Sequence, residues 1–233
     1  MFKMKRLLIR ICLFLVCLPV AINSFAASNN QAQTQAANHL VQFLKAANTY
    51  QADFWQIGQT SAGSAECAYG RLLLKQPGQL LWKVENVDCQ QVQSGKAPTD
   101  NMWNQVILTE KQSVKIYQPL LEQVIERSLK NLDDAVPVKL LTGASVQALA
   151  SFNVSEQSKA GYQLFILSPK SNQSLVSKVE IAFKNKELQQ MIVLTPLGQS
   201  TKLQFFNIKV NQGLSGAVFK LNLPKDIDVI KQS

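Results

Sequence analysis

The chain has 233 residues, 46% hydrophobic and 17% charged, with a formal net charge of +9. That is enough to bury a real core, and it argues against a disordered chain or an ordinary membrane-spanning protein. A single histidine, His39, argues against His triads, His pairs and multi-His metal sites.

The N-terminus reads as an export signal. Lys3, Lys5, Arg6 and Arg10 precede an apolar run from Ile11 to Ile22, and small residues stand at Ser24 and Ala26. This is the pattern of a secretory signal peptide over 1–26, cut after Ala26, and the apolar run is short for a membrane span. The cut removes those four cations and leaves a mildly basic domain over 27–233, weak ground for a nucleic-acid partner. Cys12 follows Ile11 and Cys17 follows Val16, so neither has the small residue that a lipidation site needs before it. The domain is read as exported, monomeric and free of a lipid anchor.

Along that domain, a polar lead-in over 27–37 runs into apolar positions at helical spacing: Ala36, Leu40, Phe43, Leu44 and Ala47. They predict an amphipathic helix from about Gln35 to Thr49. Tyr50 to Ile57 reads as extended. Cys67 to Leu74 and Leu80 to Val87 read as a hairpin around the turn signal Gln76-Pro77-Gly78-Gln79. A Pro77-Gly78-Gln79 loop would set Cys67 opposite Cys89, Arg71 opposite Glu85 and Leu74 opposite Trp82. In an oxidising compartment the two cysteines then pair, worth roughly 3 kcal/mol; two free thiols are the alternative. Gln90 to Asn101 is polar loop.

Strands resume at Trp103–Thr109, Ser113–Tyr117 and Leu121–Ser128. Pro137 to Gly143 predicts a short helix, with a further turn over Ser145–Leu149. The last third reads as strands at Phe152–Glu156, Tyr162–Leu167, Leu175–Phe183, Leu188–Thr195, Ser200–Lys209 and Ala217–Leu221. Many short strands at regular spacing predict one curved or barrel-like antiparallel sheet. In the hairpin, Arg71, Lys75, Lys83 and Glu85 share one face, and Leu72, Leu74, Leu80, Trp82 and Val84 the other. No phosphate loop, dinucleotide fingerprint, nucleophile elbow or metal-ligand set is present, so no cofactor, metal or catalytic residue is assigned. Asp133-Asp134 reads as a solvated acidic turn.

Several motifs recur in a fixed order. They are Ala52-x-Phe54-x-Gln56, Gly70-x-Leu72-x-x-Lys75-Gln76-Pro77 with Trp82, and Tyr117-Gln118-Pro119-Leu120-Leu121-Glu122-Gln123-Val124. Then come Pro137-x-x-Leu140-Leu141-x-Gly143, Leu197-Gly198-Gln199-x-Thr201-x-Leu203-x-Phe205, and Phe219-x-Leu221-x-Leu223-Pro224. The ordered set resembles the periplasmic outer-membrane lipoprotein carrier family, LolA, over nearly the whole exported chain. The resemblance implies an α+β single domain: an incomplete, strongly curved antiparallel β-barrel with helices as a lid over a hydrophobic cavity. It implies a non-enzymatic periplasmic chaperone for acylated lipoproteins. The partners it implies are an inner-membrane ABC-type release complex and an outer-membrane acceptor lipoprotein. Strand parity then assigns the acyl-chain cavity to Leu72, Leu74, Leu80, Trp82, Val106 and Ile116, and Gln76, Leu140 and Leu141 go to the lid. Two positions depart from the family pattern: Gln76 stands where an Arg is usual, and Lys115 where a Trp is usual. The alternative is a diverged paralogue on the same fold, a lipid or lipoprotein sensor or a carrier of another lipid.

Overall fold

Alternating side chains build the sheet. Tyr50, Ala52 and Phe54 of β1 (Thr49–Gln59) lie opposite Leu74, Leu72 and Gly70 of β2 (Ala65–Lys75), all on one face. A Cβ built on Gly70 would stand 2.0 Å from Cζ of Phe54, so only glycine leaves room for that ring. β3 (Gln79–Val87), β4 (Gln105–Glu110), β5 (Ser113–Gln118) and β6 (Gln123–Ser128) extend the sheet on one side of β1. β11 (Ser200–Val210), β10 (Glu187–Leu194), β9 (Lys178–Lys184), β8 (Tyr162–Pro169) and β7 (Phe152–Lys159) extend it on the other.

All these pairings are antiparallel. A last strand, β12 (Asp228–Gln232), adds to β6 in parallel, so β12 and β7 form the two edges of one twelve-stranded sheet. Each strand turns relative to its neighbour in the same hand, and bulges in the β1–β11 and β9–β10 pairs add to the twist. The result is a strongly curved, unclosed barrel, as expected from the sequence. This computed structural model describes residues 24–100, 102–110, 112–131, 135–143 and 145–232. The start of the signal segment and Asp133-Asp134 lie outside the described residues.

Three helices accompany the sheet: α1 (Ser24–Lys45), α2 (Cys89–Ser94) and α3 (Val136–Thr142). α1 begins earlier than its apolar stripe predicts and ends four residues sooner, because Thr49 is already paired in β1. Its stripe of Ala36, Ala37, Leu40 and Leu44 is buried in the main core, and it packs along β7. α3 carries Pro137 in its first turn and stops at Gly143, as the sequence predicts.

The structure corrects four expectations. The hairpin loop is Gln76-Pro77-Gly78, so the register moves by two residues: Cys67 faces Val87, Arg71 faces Lys83, and Leu74 faces Leu80. Thr109 fixes this turn, accepting from Leu80 N at 2.8 Å and donating to Gly78 O at 2.7 Å. Cys67 and Cys89 are nonetheless disulfide-bonded, with Cα atoms 5.1 Å apart. Cys89 reaches Cys67 from the first turn of α2, a helix in a stretch read as loop, capped by Asp88 accepting from Gln90 N. Ala217–Leu221 forms no strand; Gly216–Val218 is a 3-10 turn lying across the convex face. The strand expected from Leu175 starts at Lys178.

Candidate functional site

The centre of the concave face is apolar. One half holds Leu72, Leu74, Leu80, Trp82, Ile107 and Val114, with Ile116 packed against them. Phe54 links this half to Phe205, its ring centroid 4.8 Å from that of Trp82 and 5.8 Å from that of Phe205. The other half is lined by Phe165, Ile181, Phe183, Met191 and Leu203, and α1 lies in it. Here Phe43 meets Phe165 and Phe183 at 5.4 and 5.0 Å. His39 sits at the rim of that cluster, half-buried, with Nδ1 2.5 Å from Glu156 Oε1 of β7. It tethers the helix to the edge strand. Tyr50 closes the join between the halves: its hydroxyl donates to Leu188 O at 2.6 Å, and burial, then Glu187, push its phenol pKa up.

Five of the six cavity residues assigned from the sequence, Leu72, Leu74, Leu80, Trp82 and Ile116, therefore share the concave face. Val106 does not. It faces outward with Leu81 and Leu108, where Phe219 covers it, and its neighbour Ile107 takes the inward place opposite Trp82 and Ile116. The run Val106-Ile107-Leu108 is buried on both faces, so nothing in it phases the alternation. Leu72 and Leu80 have no exposed surface, because α1 and α3 fill the concavity.

α3 covers the Trp82 half. Its Val136, Val138, Leu140 and Leu141 are all buried, so both leucines assigned to the lid lie under it. Beside α3 a cleft of about 450 Å³ leads from Leu140 and Val176, both core residues, past Phe152 to the exposed Leu175. Its rim is neutral and hydrogen-bonding at Ser151, Ser171, Gln173 and Ser174, with Lys139 as its cation. Gln76, at the hairpin tip, keeps its backbone N–H bonded to Asn48 O at 2.8 Å. Its side-chain Nε2 is buried without a hydrogen-bond partner among the described residues. The adjoining Gly78 sits against the end of α3, a Cβ there falling 3.4 Å from Thr142 O. Lys115 points to the convex side and pairs with Glu110 at 2.8 Å. A larger cleft, about 610 Å³, also lies on the convex side, where Asp53, Arg71, Asn207 and Lys209 line it. Leu73, Ile208, Leu214 and Val218 complete its lining.

Sequence reasoning missed α2, β12 and an outer aromatic group in which Trp55 stacks on Phe206 and Tyr69 on Trp103. Those rings are spread over four separate segments, and only the fold brings them together. Among the described residues no helix is long and apolar enough to cross a membrane.

An unclosed β half-barrel with an apolar concave face and a short covering helix defines the class: a half-barrel with helices packed in its concavity. Residues 45–222 match the family model described as outer membrane lipoprotein carrier protein LolA, and the chain belongs to that family. A curated relative from Azotobacter vinelandii, an outer-membrane lipoprotein carrier protein, is 31% identical over 94% of this chain and 99% of its own length. One of the same name from Hahella chejuensis is 30% identical over 92% and 97%. Among solved structures, a DUF1329 family protein from Desulfovibrio piger aligns with a TM-score of 0.50 at 12% identity. It covers 82% of this chain and 96% of its own, a likeness of fold alone.

Proposed function

We propose that this protein is a periplasmic lipoprotein carrier, exported by cleavage of residues 1–26. It takes acylated lipoproteins from an inner-membrane ABC-type release complex and delivers them to an outer-membrane acceptor, shielding their acyl chains on the way. It performs no chemistry on its cargo. Family membership supports the carrier reading over a sensor on the same fold. The observation that carries it is the apolar concave face roofed by α3, whose buried underside is contiguous with the α3 cleft. Acyl chains enter by that cleft and take the place of Leu140 and Leu141 against Leu72, Leu74, Leu80, Trp82 and Ile116. Gln76 lies at the seam where the roof meets the hairpin.

The energetics demand such a shield. Each buried methylene is worth about 0.8 kcal/mol, so one long chain in water costs on the order of 10 kcal/mol. The test is a release assay. Spheroplasts carrying freshly labelled lipoproteins are incubated with the mature protein, and the soluble fraction is probed for cargo. Soluble lipoprotein co-eluting with the wild type is expected. Leu175→Glu charges the cleft mouth at an exposed position, so a folded protein that releases little cargo is expected. No release by the wild type in the presence of its cognate transporter would reject the carrier reading.

A further inference from the structure

The convex face carries a separate feature. The segment from Leu214 to Leu221 lies across it, with Phe219 packed among Leu81, Val106 and Leu108. Beside that segment runs a groove of about 370 Å³ with walls at Leu73, Leu81 and Val218. Three cations line it, Arg71, Lys83 and Lys220, and among the described residues no carboxylate does.

The hairpin register sets Arg71 directly opposite Lys83, and like charges so placed repel each other. Arg71 is partly neutralised: its Nε donates to Asp53 Oδ1 at 2.9 Å, and Asp53 Oδ2 accepts from Asn207 Nδ2 at 3.0 Å. Lys83 has no such partner. It is half-buried, its Nζ lies 5.6 Å from the centroid of the Trp103 ring, and no acid pairs with it among the described residues. Burial, then Arg71, hold its ammonium below the ordinary lysine range. A half-buried cation facing a second cation, with a third at the groove's edge, is complementary to an anion. The three donors come from β2, β3 and the C-terminal segment, so they converge from three directions. A carboxylate offers two acceptor oxygens to such a set. A phosphate offers three or more, and guanidinium is suited to it.

We propose that this groove is a binding site for a phosphate group, held between Arg71, Lys83 and Lys220. The group belongs either to an anionic phospholipid headgroup or to a free or soluble phosphate. The site stands apart from the concave face and does not depend on the carrier reading.

The test uses three forms of the purified protein: wild type, Lys83→Gln and Lys186→Gln. The last removes the same charge from an exposed turn outside the groove. Thermal midpoints are measured with inorganic phosphate against chloride at matched ionic strength. Phosphate is expected to raise the midpoints of wild type and Lys186→Gln but not that of Lys83→Gln. Lys220→Gln, in an exposed segment, is expected to weaken the response without disturbing the fold. Co-sedimentation with phosphatidylglycerol–phosphatidylcholine vesicles then separates the sources. If the headgroup is the ligand, Lys83→Gln lowers partitioning about five-fold and Lys186→Gln does not. A phosphate response without vesicle binding supports the site and assigns it to a soluble phosphate. Absence of a phosphate response in the wild type, or equal loss in Lys83→Gln and Lys186→Gln, overturns the proposal.

Discussion

Gly70 is the tightest point of the sheet. Phe54 lies across it with no exposed surface, its ring wedged between Trp82 and Phe205, and a methyl group at residue 70 would overlap the ring at 2.0 Å. The ring cannot swing to solvent, so Gly70→Ala must push it into neighbours already at contact distance. Overpacking of a filled core costs about 1–3 kcal/mol. With a urea slope of about 2 kcal/mol/M, a loss of about 2 kcal/mol lowers the unfolding midpoint by about 1 M. Phe54→Leu alone also destabilises, because it leaves a void where the ring was. The combination Gly70→Ala/Phe54→Leu is expected to be more stable than the two single losses predict, since the new methyl enters that void. A favourable coupling of at least about 1 kcal/mol is expected in the double-mutant cycle, read from urea unfolding with an unchanged slope. Strictly additive losses would refute the reasoning, as would a Gly70→Ala protein as stable as the wild type.

The Cys67–Cys89 bond closes 22 residues of sequence separation, so reduction is expected to lower unfolding stability by about 3 kcal/mol, read by urea titration with and without reductant. Gln76→Met removes a buried, unpartnered amide nitrogen at similar length; a gain of about 1 kcal/mol is expected, and a loss of that size would mean that Nε2 has a partner. Lys83 carries a lysine pKa lowered in the folded state, so between the folded and unfolded values the unfolded chain binds more protons and stability rises with pH. The wild type is therefore expected to gain stability relative to Lys83→Met as pH rises from 7 toward the ordinary lysine range, and a relative loss over that range would contradict this sign.

The hairpin shows how much of the fold a sequence carries. The register read from the turn was off by two residues, yet every face assignment in it survived. Side chains repeat every two residues, so a two-residue slip returns Leu72, Leu74, Leu80 and Trp82 to the same face. What failed was partner identity: Arg71 meets Lys83 rather than Glu85. β4 failed in the opposite way. Val106, Ile107 and Leu108 are all buried, since the C-terminal segment covers the outer face there, and parity had no polar residue to anchor it. That covering was itself illegible. Ala217, Phe219 and Leu221 do alternate, but Phe219 packs against Leu108 while the backbone closes a 3-10 turn and joins no strand. β12 pairs with a strand about a hundred residues earlier, beyond the reach of any local turn signal. The helix that buries Leu140 and Leu141 was legible because Pro137 and Gly143 mark its two ends in local sequence.

A carrier has to bind a chain worth many kcal/mol in water and still let it go. The filled interior offers a physical route. Leu72, Leu74, Leu80 and Trp82 are already covered by the apolar underside of α3, so an incoming acyl chain exchanges one hydrocarbon contact for another. The gain on binding is then the burial of the acyl chain less the apolar surface that α3 must uncover, a fraction of the transfer energy of the chain alone. A helix of seven residues is too short to hold its own shape away from the sheet, so its displacement carries little helical stability with it. By contrast α1 has 22 residues, packs along β7 and is tied there through His39 and Glu156. On the proposed entry route the two helices divide the work: α1 stays as part of the core while α3 gives way. Hydrogen exchange should report this division, with α3 amides exchanging far sooner than those of α1 in the absence of cargo. Equal protection of the two helices would place the opening elsewhere in the half-barrel.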